Sequence, residues 1–197
     1  ARLIDAAAAA IAAHADELTR LDQAIGDGDH GSNLQRGFQA IAAQRDALAA
    51  IAPGDALQKA GMTLVTTVGG ASGPLYGSLL MGMGKALQAG KGWPEALAEG
   101  VESVKRRGKS EAGAKTMLDV LIPLAQAVAA GTTDPRALRA VAEAGREATR
   151  PMRALRGRAS FLGERSVGHL DPGATSAALL AAVVCDTVVG ELAEDRA

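Results

Sequence analysis

The spacing of apolar residues is helical along nearly the whole chain, and glycine-rich stretches interrupt it at four places. In residues 32–51, for example, Leu34, Phe38 and Ile41 recur at helical intervals on one stripe. The β-branched run at 63–68 would also suit a strand, but it lies between helical patterns, which favours a helix. The pattern therefore predicts about eight helices, no convincing strand and an all-α fold.

The helix boundaries follow from capping residues, prolines and glycines. Asp55 and Asp134 are placed to cap helices, and Pro123 predicts a kink inside the sixth. The predicted helices are 1–20, 32–51, 55–68, 74–88, 94–107, 115–130, 135–152 and 173–192. The glycine-rich loops between them are 22–33, 69–74, 108–114 and 153–173. In an antiparallel bundle, several such loops would gather at one end.

The composition limits both the core and the partners. Hydrophobic residues make up 48% of the chain but aromatic residues only 2%, which favours closely packed helices over a β-sandwich. The 197 residues are expected to form a single domain, 1–197.

A net charge of −1 without a basic block argues against nucleic acid, and the lack of 18 consecutive apolar residues argues against a membrane span. The lone Cys185 fits a reducing, cytoplasmic location.

The loop at 22–33 concentrates groups that bind hard metal ions. Asp22, Asp27 and Asp29 lie there with His30 and Asn33. Neighbouring carboxylates repel one another unless a cation lies between them, and oxygen ligands on a glycine loop suit Mg²⁺ or Ca²⁺. The alternative is a solvated acidic loop that caps helices. The spacing favours a divalent metal site that would bind a nucleotide through its phosphates.

Three short stretches of the chain resemble known binding motifs but do not meet their requirements. Residues 26–31 match G-x-G-x-x-G, but a helix precedes them where a dinucleotide fold needs a strand. A calcium loop counted from Asp27 would require glutamate at its twelfth position, where Phe38 stands. Residues 108–116 miss the P-loop spacing by one residue, Ala114.

The second glycine loop, 69–73, precedes a helix and includes Ser72. Its backbone N–H groups and the Ser72 hydroxyl could hold phosphate oxygens at the helix N-terminus. The alternative is a plain loop that lets helices pack closely. In the fourth loop, the Arg158 guanidinium could form a fork with phosphate, although an isolated arginine is usually a surface residue.

Five segments in order give the chain a specific resemblance. They include Asp-Gly-Asp-His-Gly, Gly-Gly-Ala-Ser-Gly-Pro-Leu-Tyr-Gly and Lys-Thr-Met-x-Asp, and they lie at residues 22–33, 69–77, 115–119, 157–166 and 168–176. The chain closely resembles the nucleotide-binding L subunit of dihydroxyacetone kinase and the C-terminal domain of the single-chain ATP-dependent enzymes. The resemblance implies a barrel of eight antiparallel helices with the nucleotide at one end.

The resemblance also implies a set of ligand-binding residues. Asp22, Asp27 and Asp29 would hold two Mg²⁺ ions that bridge to the phosphates. The residues implied to contact ADP or ATP are His30, Gly31, Ser32, Asn33, Ala71, Ser72, Gly113, Thr116, Met117, Arg158, Asp171, Pro172 and Gly173. One departure concerns the third loop, where Ala112 and Ala114 replace the proline and aspartate usual in the family.

The partners are likewise implied by the resemblance. Dihydroxyacetone would be bound through a histidine on a separate K subunit, so this chain would supply no acceptor-binding histidine. In the phosphotransferase-system version, ADP stays bound and a phosphoryl-donor subunit recharges it from phosphoenolpyruvate. The alternatives are an L domain of an ATP-dependent kinase for dihydroxyacetone or a related ketose, and a non-catalytic nucleotide-binding adaptor that contacts a transcription regulator.

Overall fold

A computed structural model describes residues 1–194, with side chains described through residue 190. Within that range the regular structure consists of nine α-helices and one 3₁₀ segment, with no strand, which confirms the all-α prediction. The helices are α1 (Arg2–Ile25), α2 (His30–Ala42), α3 (Arg45–Ala49), α4 (Pro53–Thr67), α5 (Ser72–Gln88), α6 (Trp93–Gly108), α7 (Leu118–Ala129), α8 (Pro135–Ala148) and α9 (Pro172–Glu194). The 3₁₀ segment spans Arg158–Ser166, between α8 and α9.

The eight longer helices form a closed ring. Each packs against the next along the chain, with α2 followed by α4, and α9 returns to pack against α1. The five-residue α3 lies outside this sequence and contacts α4. A single large cluster of buried apolar side chains fills the interior, and it draws on every helix of the ring. The eight-helix prediction thus describes the ring well, although it omits α3.

An even ring of alternating helices determines where the loops lie. Consecutive helices joined by short connections run in opposite directions, so every second connection lies at the same end. The connections 26–29, 68–71, 109–117 and 149–171 share one end, which we call the loop end. These are the four glycine-rich stretches of the sequence, and the expectation that such loops gather is confirmed by the contacts described below.

Glycine allows the helices to approach at backbone distance. A Cβ on Gly77 of α5 would lie 2.8 Å from the Gly61 carbonyl oxygen of α4, and one on Gly84 would lie 2.6 Å from that of Gly54. On the other side of α5, a Cβ on Gly100 of α6 would lie 2.8 Å from a carbonyl oxygen. A core with few aromatic residues is therefore filled by close helix contact rather than by large side chains.

Several helix ends differ from those predicted. The acidic loop is shorter, because α1 runs to Ile25 and includes Asp22. Asp55 lies in the first turn of α4 and is not its cap, which is Ala52. Helix α7 begins three residues late because Lys115 has a positive φ of 60°, which a right-handed helix excludes. Asp134 does cap α8, accepting the Arg136 N–H.

Helix α9 is unusually apolar. Among the described helices it alone contains a stretch, Pro172–Gly190, long and apolar enough to cross a membrane. In this fold it packs against α1, α7 and α8 and buries Ala174, Ala177 and Ala178 in the main core. Toward its other end, Val184, Val188 and Val189 are exposed.

Gly77→Ala tests the close approach of α4 and α5. The added Cβ would meet the Gly61 carbonyl and the Val65 side chain, so we expect a loss of about 1–3 kcal/mol in the free energy of unfolding. Gly190→Ala on α9 is the matched control, since no described heavy atom lies within 4 Å of its Cβ. There the better helix propensity should stabilise by up to about 1 kcal/mol. Urea denaturation measures both, and equal effects would contradict close packing at Gly77.

Candidate functional site

The Asp22 carboxylate joins the end of α1 to the start of α2. Its Oδ2 accepts the backbone N–H of Asp29 at 2.9 Å and that of His30 at 3.2 Å. Both N–H groups lie at the beginning of α2, where no intrahelical acceptor is available to them. Asp22 is buried, so this carboxylate shapes the loop as well as contributing charge to it.

Three carboxylates converge above this turn. Oxygens of Asp22, Asp27 and Asp29 all lie within 4.8 Å of one another. A side chain at Gly26 would collide with Asp22 Oδ1, so the glycine leaves that oxygen uncovered. Three negative groups at this separation repel one another, and oxygen ligands of this kind suit a hard divalent cation. The cluster could hold such an ion.

Arg158 reaches the same cluster from the 3₁₀ segment. Its Nε lies 2.9 Å from Asp27 Oδ2, and its side chain remains 68% exposed. The residue predicted to bind phosphate is therefore beside the carboxylates although 131 positions separate it from Asp27 in the chain. An exposed pair of this kind contributes little to stability, which leaves the guanidinium available to an anionic ligand.

Two helix N-termini meet next to the carboxylates. Helix α2 begins at His30 and α5 at Ser72, and His30 Nδ1 lies 2.9 Å from Ser72 Oγ. The positive end of each helix dipole and its unpaired N–H groups favour an anion at this point. His30 is buried, and burial lowers its pKa although the Asp22 and Asp29 carboxylates act in the opposite direction.

The remaining residues predicted in this part of the site have distinct environments. Gly31 is buried against the Ala15 carbonyl of α1, which only glycine permits. Asn33 is also buried, and its Oδ1 accepts a hydrogen bond from Arg36. Ser32 and Ala71 are exposed at the loop end. Ala71 is the N-cap of α5.

The third loop is folded back by Asp119, in the first turn of α7. One Asp119 oxygen accepts the backbone N–H of Gly113 and the other that of Thr116, at 2.8 Å. Gly113 has a φ of 84° and is exposed. Met117 is buried in the main core. A Cβ on Gly173 of α9 would lie 3.5 Å from the Met117 nitrogen, so these two residues predicted to contact the nucleotide are neighbours.

Lys115 ties the third loop to the fourth. Its side chain is 1% exposed, and Nζ donates to the backbone carbonyls of Thr149 and His169. Burial lowers the pKa of Lys115, while Asp171 acts in the opposite direction. No site role was predicted for Lys115, and a lysine in a polar loop ordinarily points into solvent. Its place in the Lys-Thr-Met-x-Asp motif was the only available signal.

Asp171 lies at the start of α9 and is buried. Its Oδ2 accepts the Ala174 N–H at 2.7 Å, and its own N–H donates to Thr149 Oγ1 at 3.1 Å. Burial raises the pKa of Asp171 to about 7. Pro172 is buried beside it, so of the predicted turn 171–173 only Gly173 is partly open.

The loop end thus brings the predicted residues together in two adjoining groups. The carboxylates, Arg158 and the starts of α2 and α5 form one group, and the third loop with the start of α9 forms the other. They are joined by Ser176 of α9, whose Oγ lies 3.0 Å from His30 Nε2. Ser176, Tyr76, Asp119 and Thr149 were missed as parts of the site.

An open cavity of about 500 Å³ borders the third loop. Ala112 and Ala114, the two departures from the family pattern, line it together with Leu155 and Arg156. None of the three clustered carboxylates lines this space. It therefore adjoins the third loop rather than the carboxylate cluster.

Comparisons with known proteins relate the chain to a protein family. A family model described as the DAK2 domain matches residues 24–186. The chain is 45% identical over 180 residues to the ADP-binding subunit DhaL of PEP-dependent dihydroxyacetone kinase 1 from Listeria innocua, covering 87% of each chain. It is 40% identical over 204 residues to D-erythrulose kinase from Mycolicibacterium smegmatis, covering 95% of this chain and 35% of that protein.

A solved structure shares the fold. The crystal structure of the dihydroxyacetone kinase from C. freundii in complex with AMP-PNP and Mg²⁺ superposes with a TM-score of 0.80 at 26% identity. The match covers 94% of this chain and 33% of that one. The present chain thus spans about a third of the length of the solved kinase.

The titration of Asp171 gives a pH test of the group formed by the third loop and the start of α9. The folded chain holds this proton up to about pH 7, whereas the unfolded chain loses it near the ordinary value of 3.8. The contribution of Asp171 to the free energy of unfolding is therefore lost as the pH rises between these values. Asp171→Asn mimics the protonated side chain and removes the dependence.

Urea denaturation of both proteins at about pH 5 and about pH 8 measures this effect. Relative to Asp171→Asn, the wild-type free energy of unfolding should fall by on the order of 2 kcal/mol across this range. A parallel pH dependence in the two proteins would mean that Asp171 ionises normally in the fold.

Proposed function

The chain belongs to the DAK2-domain family, and from this premise we propose that it is the ADP-binding subunit of a phosphoenolpyruvate-dependent dihydroxyacetone kinase. Its similarity to a subunit of that name extends over most of both chains. The observation that carries the proposal is the carboxylate cluster of Asp22, Asp27 and Asp29 beside the N-termini of α2 and α5. This combination suits a nucleoside diphosphate with its metal ions.

Mg²⁺ would be held by the three clustered carboxylates, and we propose two ions. The residues present fit it, because they offer carboxylate oxygens close together and a glycine that leaves Asp22 Oδ1 uncovered. When bound, Mg²⁺ would neutralise charge on the phosphates and on the aspartates. Without it, the aspartates would repel the nucleotide they are meant to bind.

The chain's own contribution to phosphoryl transfer is position and charge. The first turns of α2 and α5 present N–H groups to the phosphates, and Arg158 lies where its guanidinium could move from Asp27 to a phosphoryl oxygen. The base of the nucleotide would lie against Gly113, Thr116, Met117 and residues 171–173. This place is next to the cavity lined by Ala112 and Ala114.

The ketose is expected on another chain. We propose that a K subunit presents dihydroxyacetone to the loop end, and that a phosphoryl-donor subunit of the phosphotransferase system recharges the bound ADP. We place the protein in the cytoplasm, consistent with its free, buried Cys185. A contact with a transcription regulator stays a prediction.

A second candidate is the nucleotide-binding part of an ATP-dependent ketose kinase. The 40% identity to D-erythrulose kinase supports this second candidate. That protein is nearly three times as long as the matched region. The two candidates differ in how the nucleotide behaves. A cofactor ADP should stay bound through purification, whereas a substrate ATP should exchange rapidly.

Asp29→Ala tests the metal assignment. Among the described residues the Asp29 carboxylate accepts no hydrogen bond, whereas Asp22 caps α2, so removing Asp29 should spare the fold. We expect the variant to lose ADP–Mg²⁺ binding in calorimetry, by at least about 100-fold, with unchanged helix content by circular dichroism.

Asp16→Ala is the matched control for Asp29→Ala, because Asp16 is an exposed aspartate on α1 outside the cluster. It should bind ADP–Mg²⁺ as the wild type does. Unchanged affinity in Asp29→Ala would show that the carboxylate cluster is not the metal site.

Turnover separates a kinase subunit from an adaptor. With a K subunit, the phosphoryl-donor proteins and phosphoenolpyruvate, the chain with bound ADP should support phosphorylation of dihydroxyacetone. Turnover with ATP in place of the donor proteins and phosphoenolpyruvate would favour the second candidate. D-erythrulose is the alternative acceptor to compare with dihydroxyacetone. Nucleotide binding without turnover under any of these conditions would leave only the adaptor.

A further inference from the structure

A buried chain of hydrogen bonds runs from the core to the start of α5. The Tyr76 hydroxyl lies 2.7 Å from Ser176 Oγ, which lies 3.0 Å from His30 Nε2. The other ring nitrogen of His30, Nδ1, lies 2.9 Å from Ser72 Oγ. Tyr76 is 3% exposed and Ser176 is fully buried. These hydrogen bonds therefore link an interior tyrosine to the loop that is proposed to bind phosphate.

The hydrogen-bonding capacity of Ser176 determines the direction of these bonds. A serine hydroxyl has one hydrogen and two acceptor lone pairs. Ser176 Oγ lies 3.0 Å from the Gly173 carbonyl oxygen, which can only accept, so the serine hydrogen goes there. Both lone pairs are then left for Tyr76 and His30, which must each donate. Nε2 of His30 therefore carries a hydrogen.

The surroundings of the ring determine the other nitrogen. Each ring nitrogen lies within hydrogen-bond distance of a hydroxyl group, the Pro172 backbone is a further hydrogen-bond partner of the ring, and His30 is 7% exposed. An uncharged imidazole suits this environment, which leaves Nδ1 bare and able only to accept. Ser72 must then donate its hydroxyl hydrogen inward to Nδ1.

We propose that Tyr76 and Ser176 are positioning residues that hold His30 in the Nε2–H tautomer, and that His30 in turn fixes the Ser72 hydroxyl. This rests on the proposed nucleotide-binding function of the loop end. The Ser72 hydrogen is committed to His30, so a phosphate oxygen at the start of α5 is bound by backbone N–H groups. The hydroxyl keeps its lone pairs for a donor, such as a water held by the metal or a nucleotide hydroxyl.

The geometry also explains why a tyrosine is needed at this position. A phenylalanine would fill the same volume but would leave one lone pair of Ser176 unsatisfied in the core. Ser176 could then turn its hydrogen toward His30, and the preference for Nε2–H would be lost. Tyr76→Phe therefore changes the direction of the hydrogen bonds with little change in packing.

The tautomer can be measured directly by nitrogen NMR of the imidazole rings. The chain has only three histidines, and His14 and His169 are exposed, so the His30 resonances can be assigned by substitution. We expect the wild type to show one protonated nitrogen, Nε2, and one bare nitrogen, Nδ1. Tyr76→Phe and Ser176→Ala should shift both resonances toward a mixture of tautomers.

Calorimetry with ADP and Mg²⁺ provides the functional readout. Each variant should bind about five- to tenfold more weakly, the effect of one misdirected hydrogen bond. Ser103→Ala is the control, because Ser103 also donates to a backbone carbonyl of its own helix but lies on α6 away from His30. It should leave both the tautomer and the affinity unchanged.

The outcomes are distinct for the two proposals. An Nδ1–H tautomer in the wild type, or variants that keep both the wild-type tautomer and the wild-type affinity, would overturn the positioning role. Failure of the wild type to bind ADP with Mg²⁺ would overturn the nucleotide-binding function. In that case the tautomer of the wild type would still decide whether the hydrogen-bond chain exists.

Discussion

Contact between helix backbones, made possible by glycine, is the constraint on which the ring depends. The chain has too few aromatic residues to fill a wide interior, so its helices approach until glycines such as Gly77 and Gly84 meet the carbonyls of the adjacent helix. The eight longer helices close into a ring at this spacing. Because their number is even, the connections alternate between two ends, and four glycine-rich loops are collected at one of them.

The loop end draws its chemistry from groups that serve the fold as well. Asp22 accepts two N–H groups at the start of α2 through Oδ2, while Gly26 leaves its other oxygen, Oδ1, uncovered. Lys115 is buried between two loops and holds them through backbone carbonyls. Such groups position the exposed ones, since Arg158, Asp27 and Gly113 have few contacts of their own. The site is thus buried and hydrogen-bonded at its base and open toward a ligand.

Sequence reasoning predicted the elements that depend on local pattern. Helical periodicity located the eight longer helices, and the spacing of Asp22, Asp27 and Asp29 identified a cluster that the fold does bring together. It could not supply contacts between distant residues, such as His30 with Ser176, 146 positions apart. Nor does periodicity indicate that Lys115 adopts a positive φ and is buried, because its partners are backbone carbonyls from another loop. The resemblance to a kinase family supplied the predicted site residues, but it did not supply the hydrogen bonds that hold them in the fold.

The central claim is that the three aspartates bind nucleotide through metal. A crystal structure of the chain grown with ADP and Mn²⁺ tests it most directly, because Mn²⁺ substitutes for Mg²⁺ and scatters anomalously. The account predicts anomalous peaks between the carboxylates of Asp22, Asp27 and Asp29 and the phosphates of ADP, with those phosphates at the starts of α2 and α5. ADP bound at the loop end without metal at these carboxylates, or bound elsewhere on the molecule, would contradict it.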